Sequence, residues 1–491
     1  MALSVLDQLE HDPRVTILGN GPDGRSPDRA RGCVLYWMQN AQRAEDNAAL
    51  DLAIRLANER RLGVTAFFAL DERVPHASDR TFTFMLEGLH ETQARMAARG
   101  VPLVLRRGPA VREIASLCDE LKPAFVVTDL SPLRRGRALR RTAAASLAAP
   151  LIEVDTEHIV PLQSIGREHW AARTLRPVIA RYLPALLIEP PTCEPERPGP
   201  AADGLDLAAV EIGTFVRALT IDHSVPPVPD RPGGRAAGLA RLRAFLEDRL
   251  ASYSESRAAS GVGSGLSPYL RFGQIAPLRV ALEAQAATAA PPDRSAFLEE
   301  LIVRRELAAN FVYYNPGYGS LAGAPDWANA TLTKHAADPR PARYEYDQIV
   351  AAATDDDAWN AAQRELLHLG RIDNYLRMYW GKKLIEWVPR PADALKLGLL
   401  LNDRYALDGR SPNGFTNLLW CFGRHDRPWP ERPVFGTVRT MTQSGLRRKL
   451  DLPVYIARVE REIATAQQML AQAGQGPPQA GRETPRATAN A

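Results

Sequence analysis

The sequence predicts an α/β domain with a Rossmann-like parallel sheet, followed by an all-helical domain. In the first part of the chain, short apolar runs alternate with amphipathic stretches, a pattern typical of parallel strands covered by helices on both faces. After about residue 239 the strand pattern almost disappears, and apolar residues recur at helical spacing instead. A segment rich in Pro, Gly and Asp, which cannot form a core, separates the two parts.

These patterns set the predicted domain boundaries. The chain has 491 residues, which is more than one core usually holds and enough for two or three domains. We predict, in chain order, a flexible arm (1–28), the α/β domain (29–187), a linker (188–238), the helical domain (239–465) and a disordered tail (466–491). The arm is rich in Asp, Pro, Gly and Arg, and the tail is poor in large apolar residues.

Five apolar runs in the α/β domain have the length and composition of buried strands: VLYWMQ, GVTAFFAL, VPLVLRRG, PAFVVTDL and APLIEVDTEH. Between the first two, Leu50, Ile54 and Ala57 recur on one face of a predicted amphipathic helix. A weaker strand, VTIL, precedes GNGPDG (19–24). That motif resembles a phosphate loop, but a solvated turn is the better interpretation because the residues after it do not open a helix.

Composition and charge argue against several classes of protein. Hydrophobic residues make up 45% and charged residues 24% of the chain, which is ordinary for a globular protein. No apolar run approaches the roughly 20 residues of a membrane helix, and the N-terminus lacks the apolar core of a secretory signal. The cysteines and histidines form no ligand pattern, so we predict no metal and a cytoplasmic location, or a nuclear one in a eukaryote. A net charge of +4 is compatible with DNA binding without requiring it.

The helical half carries four stretches with chemical content. In GSGLSPYLRFGQI, Pro268 suits the first turn of a helix, and the free amides there with Ser264 and Ser267 would suit a phosphate. An ordinary capped helix is the alternative. In FLEELIVRREL, helical spacing places Glu300 and Arg304 one turn apart beside an apolar stripe. Such an acid could be half-buried and donate a hydrogen bond, although a surface ion pair is the commoner case.

The third stretch, DDDAWNAAQRELLHLGRIDNYLRMYWGKKLIEW, concentrates tryptophans. Asn374, Arg377 and Trp380 are spaced by three and share a helical stripe, and Trp387 lies two turns beyond Trp380. Trp359 lies on the preceding predicted helix. Core packing explains any one of these tryptophans, whereas three of them near a redox cofactor would permit electron hopping.

The fourth stretch, LLNDRYALDGRSPNGFTNLLWCFGRHDRPWP, is dense in Asn, Asp, Gly and Pro, which predicts a turn-rich loop. Trp420 and Trp429 stand there in polar surroundings. Loops that mix aromatic residues with Asn and Arg often line pockets, and exposed aromatic rings stack on bases.

In this order, the four stretches resemble the photolyase/cryptochrome family. SGLSPYLRFG resembles its flavin phosphate loop, EELIVRREL its active-site acid helix, and NYLRM followed by LDG its clamp for the isoalloxazine ring. YWMQNAQRAEDNAAL, FLEELIVRRELAANFVYYN and LNDRYALDGRSPNGF are similar to class II cyclobutane pyrimidine dimer photolyases in particular. The resemblance extends from about residue 33 to residue 456.

The resemblance implies a lyase that repairs UV-damaged DNA with blue light, by electron transfer from reduced FAD to a flipped-out pyrimidine dimer. Glu300 would hydrogen-bond the dimer, Asn402 would help to stabilise the reduced flavin, and Trp420 would stack on the lesion. The implied FAD contacts are Tyr253, Ser264, Gly265, Leu266, Ser267, Asn374, Tyr375, Arg377 and Asp408.

The resemblance also implies an electron-transfer chain and a DNA-binding surface. Trp380, Trp359 and Trp387, in that order outward from the flavin, would reduce the oxidised cofactor. The implied DNA contacts are Arg304, Trp420, Arg424 and Trp429. Some photolyases carry a tryptophan near the position of Arg304. Here the segment reads IVRR, so an arginine would have to form that side of the lesion clamp.

Some features stay open at this level. In many relatives the α/β domain holds an antenna chromophore; here 8-hydroxydeazaflavin is favoured over folate, and an empty site is the alternative. The protein would act as a monomer on duplex and single-stranded DNA. The main alternative is a cryptochrome, a blue-light photoreceptor on the same fold. A (6-4) photolyase using His425, and a non-catalytic DNA-binding protein, are less favoured.

Overall fold

The computed structural model describes residues 4–9, 11–19, 32–256 and 263–477. Its strands are β1 (Val15–Gly19), β2 (Cys33–Trp37), β3 (Gly63–Leu70), β4 (Leu103–Arg107), β5 (Phe125–Asp129) and β6 (Leu151–Val154). The helices of the first half are α1 (Val5–Leu9), α2 (Ala48–Arg60), α3 (Asp79–Ala98), α4 (Ala110–Leu121), α5 (Arg134–Ser146), α6 (Leu162–Ile165), α7 (Ala172–Leu186) and α8 (Ile212–Arg217).

The second half of the described chain is helical. Its helices are α9 (Arg235–Asp248), α10 (Tyr253–Ser256), α11 (Ser267–Arg271), α12 (Pro277–Ala286), α13 (Pro291–Leu298), α14 (Arg305–Tyr314), α15 (Asp326–Lys334), α16 (Tyr346–Val350), α17 (Asp357–Leu369), α18 (Asn374–Trp387), α19 (Pro391–Tyr405), α20 (Pro412–Cys421), α21 (Gln443–Arg447) and α22 (Leu452–Gln472). A π-helical turn, Glu299–Arg304, joins α13 to α14.

The sheet confirms the predicted α/β class. Its strand order is β1-β6-β5-β2-β3-β4, and the five strands predicted from the apolar runs, β2 to β6, are parallel. They are buried because helices cover the sheet, and in α2 the predicted stripe of Leu50, Ile54 and Ala57 is fully buried. Asn47 caps this helix by accepting a hydrogen bond from the backbone N–H of Leu50.

The arm predicted to be flexible contains regular structure, so that prediction is wrong for part of the segment. Residues 5–9 form α1, and the weak VTIL run forms β1, which pairs antiparallel with β6 at the edge of the sheet. The physical reason is that β6 would otherwise present unpaired backbone groups. Apart from its first glycine, the GNGPDG motif lies outside the described residues.

The predicted linker crosses the surface of the α/β domain with few regular elements. Pro198 forms an isolated parallel bridge with Val64, and Asp222 forms another with Ser78. At the other end of the chain, the predicted disordered tail begins inside α22, which continues to residue 472. The prediction fails there because Ile463, Ala466 and Leu470 share one face and are buried, the first two of them in the core of the helical half.

Buried ionic groups join the two halves. The Glu306 carboxylate of α14 accepts hydrogen bonds from the backbone N–H groups of Ile159, at 2.6 Å, and Val160, at 3.2 Å. Nearby, Arg43 pairs with Glu157 at 2.5 Å. Burial raises the pKa of Glu306 to about 7. An acid whose pKa is higher in the folded state than in the unfolded chain lends stability below its unfolded pKa, and that stability is lost as pH rises through the folded value.

Replacing this acid should therefore flatten the pH dependence of stability. We expect the melting temperature of the wild-type protein to fall between pH 5 and pH 8 by more than that of Glu306→Gln, because the amide cannot ionise. Thermal unfolding at both pH values tests this. Glu247→Gln, a change at an exposed position of α9, serves as control and should follow the wild type. Parallel behaviour of all three proteins would contradict the assignment.

Candidate active site

Three tryptophans form a continuous line inside the helical half. The rings of Trp359 and Trp380 lie nearly parallel with centroids 6.4 Å apart, and Trp359 meets Trp387 edge-on at 5.1 Å. Their exposed fractions are 0%, 1% and 4% for Trp359, Trp380 and Trp387. The indole N–H of Trp359 donates to the carbonyl of Trp380 at 3.1 Å, and that of Trp380 donates to Gln363 at 2.8 Å. Trp359, from the preceding helix, therefore lies between the two tryptophans of α18, and hydrogen bonds fix the orientation of the Trp359 and Trp380 rings.

The line continues to a residue that sequence reasoning missed. Tyr344, half-buried between α15 and α16, contacts Trp387 edge-on at 4.9 Å. Lys383 lies over the Trp387 ring, with Nζ 5.7 Å from its centroid. No local motif marks Tyr344, because it reaches this place only through the packing of a separate loop.

One turn before Trp380 on α18, Arg377 faces a carboxylate. Its Nη2 lies 3.5 Å from Asp408 Oδ1, in the loop after α19. Asn402 is buried on α19 and donates from its side-chain amide to Asp403 at 3.0 Å. The side chain of Asn374, at the start of α18, lies outside the described part of the chain. The predicted Arg377, Asp408 and Asn402 thus occupy neighbouring segments.

Two further arginines adjoin this pair and were missed from the sequence. Burial lowers the pKa of Arg271 to about 9 and that of Arg410 to about 10. Arg271 donates to the carbonyl of Gly409 at 3.1 Å. Both side chains are half-buried. Together with Arg377 they outnumber Asp403 and Asp408, so this region favours an anion.

A second cationic cluster surrounds the predicted phosphate loop. Arg231 is buried, and its Nε–H has no acceptor among the described residues. Burial, together with the positive charges of Arg371 and Arg241, lowers the pKa of Arg231 to about 10. Gly265 has φ of +68°, and a Cβ there would lie 2.8 Å from Nη1 of Arg241. Arg231, a buried cation with no ion-paired carboxylate among the described residues, is the kind of group expected where an anion binds.

The phosphate loop itself differs from the expectation of a helix N-terminus. The helix α11 has only five residues, so its dipole is small. Ser264 Oγ accepts from the backbone N–H of Leu266 at 3.4 Å, and Leu266 is packed in the core. Ser267 is exposed. Tyr253 is half-buried in an aromatic cluster, edge-on to Phe297 at 5.6 Å. The positive charge near this loop therefore comes from arginine side chains.

The predicted acid helix contains a π-helical turn. Within Glu299–Arg304, the N–H of Arg305 donates to the carbonyl of Glu300, five residues earlier. The inserted residue widens the turn, and Glu300 and Arg304 remain about one turn apart on it. The Nε atom of Arg304 lies 3.4 Å from a carboxylate oxygen of Glu299. Glu300 is half-buried on the same turn.

The π-helical turn faces Trp420. The Cζ atom of Arg304 lies 5.6 Å from the centroid of the Trp420 ring, and His425 meets that ring edge-on at 5.5 Å. Trp420 is on helix α20, so the predicted turn-rich loop is wrong for residues 412–421. Ser411 caps this helix, and its apolar face with Leu418 and Leu419 is buried, which outweighs the turn-favouring Asn and Gly.

The two remaining predicted DNA contacts differ in exposure. Arg424 is buried, pairs with Glu168 and stacks over Phe311 at 4.3 Å, so it is not placed to meet a phosphate. The prediction fails because the chain turns inward there. Trp429 is 37% exposed. Two exposed arginines flank its ring, Arg427 at 5.6 Å and Arg439 at 5.0 Å.

Tyr375 lies away from the other predicted cofactor residues. Its ring is 6.0 Å from Nζ of Lys449, which lines a groove of about 710 Å³ beside α21 and α22. Helical geometry explains this, because residues 375 and 377 project from opposite sides of α18. The structure therefore does not bring Tyr375 beside the Arg377–Asp408 pair.

In the part of the chain that the structure describes, His, Cys, Asp and Glu side chains form no group of three able to hold a metal ion. None of the described helices combines the length and apolar character that crossing a membrane requires.

The fold is that of photolyases and cryptochromes. A bacterial class III photolyase from Agrobacterium tumefaciens superposes with a TM-score of 0.68 at 18% identity, covering 94% of this chain and 95% of the other. The cryptochrome of Synechocystis sp. PCC6803 superposes with a TM-score of 0.65 at 16% identity, over 91% and 90% of the two chains.

The chain belongs to the DNA photolyase family. The family's DNA photolyase model matches residues 34–196. A protein named deoxyribodipyrimidine photo-lyase, from Methanothermobacter thermautotrophicus, is 39% identical over 442 residues, covering 89% of this chain and 96% of that protein. Proteins of the same name are 37% identical in Arabidopsis thaliana, over 92% of this chain and 93% of the plant protein, and 36% identical in Potorous tridactylus, over 95% and 87%.

Proposed function

We propose that this protein is a class II photolyase, a lyase that splits cyclobutane pyrimidine dimers in DNA with blue light. The observation that carries the proposal is the line of three touching tryptophans that ends one helical turn from the Arg377–Asp408 pair. A buried redox relay needs a redox cofactor at its inner end. The names of the relatives and the class II wording of the motifs support the same activity.

FAD is the cofactor that these residues fit. It carries a diphosphate and, when reduced, an anionic ring, and the structure offers one cationic cluster for each. Arg231 and Arg241, with Tyr253, Ser264, Gly265, Leu266 and Ser267, would hold the diphosphate end. Arg377, Asp408, Asn374 and Asn402 would hold the ring, with Arg271 and Arg410 adding positive charge. When bound, reduced FAD supplies the electron that opens the cyclobutane ring and takes it back afterwards.

The lesion would enter beside the π-helical turn. The dimer must leave the duplex to reach this pocket, and damage to base stacking lowers the cost of doing so. Trp420 offers a flat ring for stacking, and the guanidinium of Arg304 on its face takes the place of a second aromatic wall. Glu300 would hydrogen-bond the pyrimidine carbonyls, where negative charge develops.

Two further groups of residues would keep the cofactor reduced and bind the DNA. Trp380, Trp359 and Trp387 would pass electrons inward from the surface, so that the cofactor returns to its reduced form. Trp429 with Arg427 and Arg439 offers an exposed aromatic ring among phosphate-binding cations.

Three further features belong to the proposal. The α/β domain would hold an antenna, for which 8-hydroxydeazaflavin is preferred to folate. The protein would act as a cytoplasmic monomer on duplex and single-stranded DNA. The cryptochrome alternative is less well supported, since the cryptochrome match shares 16% identity whereas the photo-lyases share 36 to 39%.

The role of Glu300 gives a direct test. We expect Glu300→Gln to lower the quantum yield of dimer repair by roughly tenfold, because a donor to the developing charge is weakened. FAD content and affinity for damaged DNA should stay within about twofold of wild type, since the change keeps the shape of the side chain. Glu247→Gln is the control on the exposed face of α9. An unchanged yield in Glu300→Gln would remove the role assigned to this acid.

A further inference from the structure

An exposed tryptophan stands outside the helical half, on the segment between α6 and α7. Trp170 is 51% exposed. The Cζ atom of Arg173, in the first turn of α7, lies 5.5 Å from the centroid of its ring. A large aromatic ring that stays in solvent, even with a cation on its face, forgoes the stabilisation that burying its apolar surface would provide. An exposed ring beside a cation suits a surface that binds a flat or anionic ligand.

The backbone around Trp170 is firmly held. Asn310 of α14 donates to the carbonyl of Arg167 at 2.8 Å and accepts from the N–H of His169 at 2.7 Å. His425 Nδ1 lies 2.6 Å from the carbonyl of Trp170. Because a carbonyl can only accept, His425 carries its proton on Nδ1. Burial lowers the pKa of His425 to about 3, so the ring stays neutral and this bond persists at physiological pH.

These bonds place the segment at the edge of the proposed lesion pocket. The same His425 ring meets Trp420 edge-on at 5.5 Å. From the other side, Arg176 of α7 pairs with Glu299 at 2.7 Å, and Glu299 also approaches Arg304, which lies over Trp420. Two independent chains of contacts thus connect Trp170 and α7 to the ring proposed to stack on the lesion.

Charge identifies the kind of partner. Arg167 and Arg173 are exposed, whereas the acids of this region are already engaged: Glu168 by Arg424, and Glu299 by Arg176. Among the described residues beside Trp170, the exposed charged side chains of Arg167 and Arg173 therefore make this surface positive. A nucleic acid strand supplies both the negative charge and the flat faces that this surface lacks.

We propose that Trp170 and Arg173 contact the DNA strand next to the flipped dimer, as a second DNA-binding surface contributed from outside the helical half. The inference rests on the proposed repair function. Trp170 would pack on a base or sugar exposed by the distortion, and Arg173 would meet an adjacent phosphate. The surface would act in binding damaged DNA and not in the photochemical step, because neither side chain belongs to the cofactor or lesion contacts described above.

The experiment measures the dissociation constant of the FAD-loaded protein for a duplex carrying one dimer, over a series of salt concentrations. We expect Trp170→Ala to raise this constant about 5- to 100-fold, the range for loss of one aromatic–base contact. Trp170→Phe should restore most of the affinity. Arg173→Ala should reduce the slope of log affinity against log salt by about one, as expected for one lost phosphate contact. Arg112→Ala, at an exposed position of α4, is the control and should bind as wild type.

Repair yield at saturating DNA separates this inference from the proposed function. Wild-type yield and FAD content in Trp170→Ala, with weakened binding, support the surface proposed here. Affinity within twofold of wild type in both Trp170→Ala and Arg173→Ala overturns it, even if the wild-type protein repairs dimers. Failure of the wild-type protein to bind or repair dimers would instead overturn the proposed function.

Discussion

Replacing Trp380 by phenylalanine should almost abolish light-driven reduction of the bound flavin, while protein that has been reduced chemically still repairs dimers. Trp380 is the member of the tryptophan line on the same helix as Arg377, and its only ring partner in the line is Trp359 at 6.4 Å. Phenylalanine fills most of the space but is far harder to oxidise, so the relay is broken next to the cofactor. The flavin absorption spectrum, followed under blue light with an external reductant, measures the effect.

A matched substitution tests whether the position matters. Trp327 packs against the same hydrophobic cluster but does not belong to the line. Trp327→Phe should therefore leave the rate of photoreduction close to that of wild type. Equal rates in Trp380→Phe and wild type would show that the electron takes another route, and a loss of repair after chemical reduction would show that Trp380 acts in more than electron supply.

Removing both arginines of the second cationic cluster should yield a protein that does not retain FAD. Each charge-assisted hydrogen bond contributes about 1.5 to 3 kcal/mol, so Arg231→Met combined with Arg241→Met should weaken FAD binding by at least about two orders of magnitude. The same change should leave the melting temperature of the FAD-free protein unchanged or raised. The reason is that Arg231 is a buried charge whose Nε–H has no acceptor among the described residues.

Two measurements on one variant make this prediction specific. The double variant should lose its bound FAD during purification, while the melting temperature of its FAD-free form is unchanged or raised. Added FAD should raise the melting temperature of the wild type but not that of the double variant, because a ligand stabilises a folded protein only where it binds. Arg243→Met, at an exposed position of the same helix as Arg241, should retain FAD. A double variant that binds FAD normally would place the diphosphate elsewhere.

The features that follow from local periodicity were predictable from the sequence. The five parallel strands appear as apolar runs, and the stripe of Leu50, Ile54 and Ala57 marks the buried face of α2. The contact between Trp380 and Trp359 depends on the packing of α17 against α18, but the stripe on α18 and the family resemblance together pointed to it.

The features that depend on distant segments were not predictable. Arg231, Arg271 and Arg410 come from three widely separated parts of the chain, and only the folded structure shows that Arg231 is buried and the other two are half-buried. The π-helical turn Glu299–Arg304 has no sequence signature. Solvent exposure could not be predicted from the sequence either. Arg424 and Trp429 lie five residues apart in one polar stretch, yet Arg424 is buried and Trp429 is 37% exposed.

The central claim is that the helical half holds a light-absorbing flavin beside a pocket for two fused pyrimidines. Counting the dimers split per absorbed photon tests it most directly, with FAD-loaded, chemically reduced protein and a duplex that carries one cyclobutane dimer. The account predicts loss of the dimer and recovery of two intact pyrimidines under blue light, and no change in the dark. Dimers that survive illumination while fully bound to the reduced protein would contradict it.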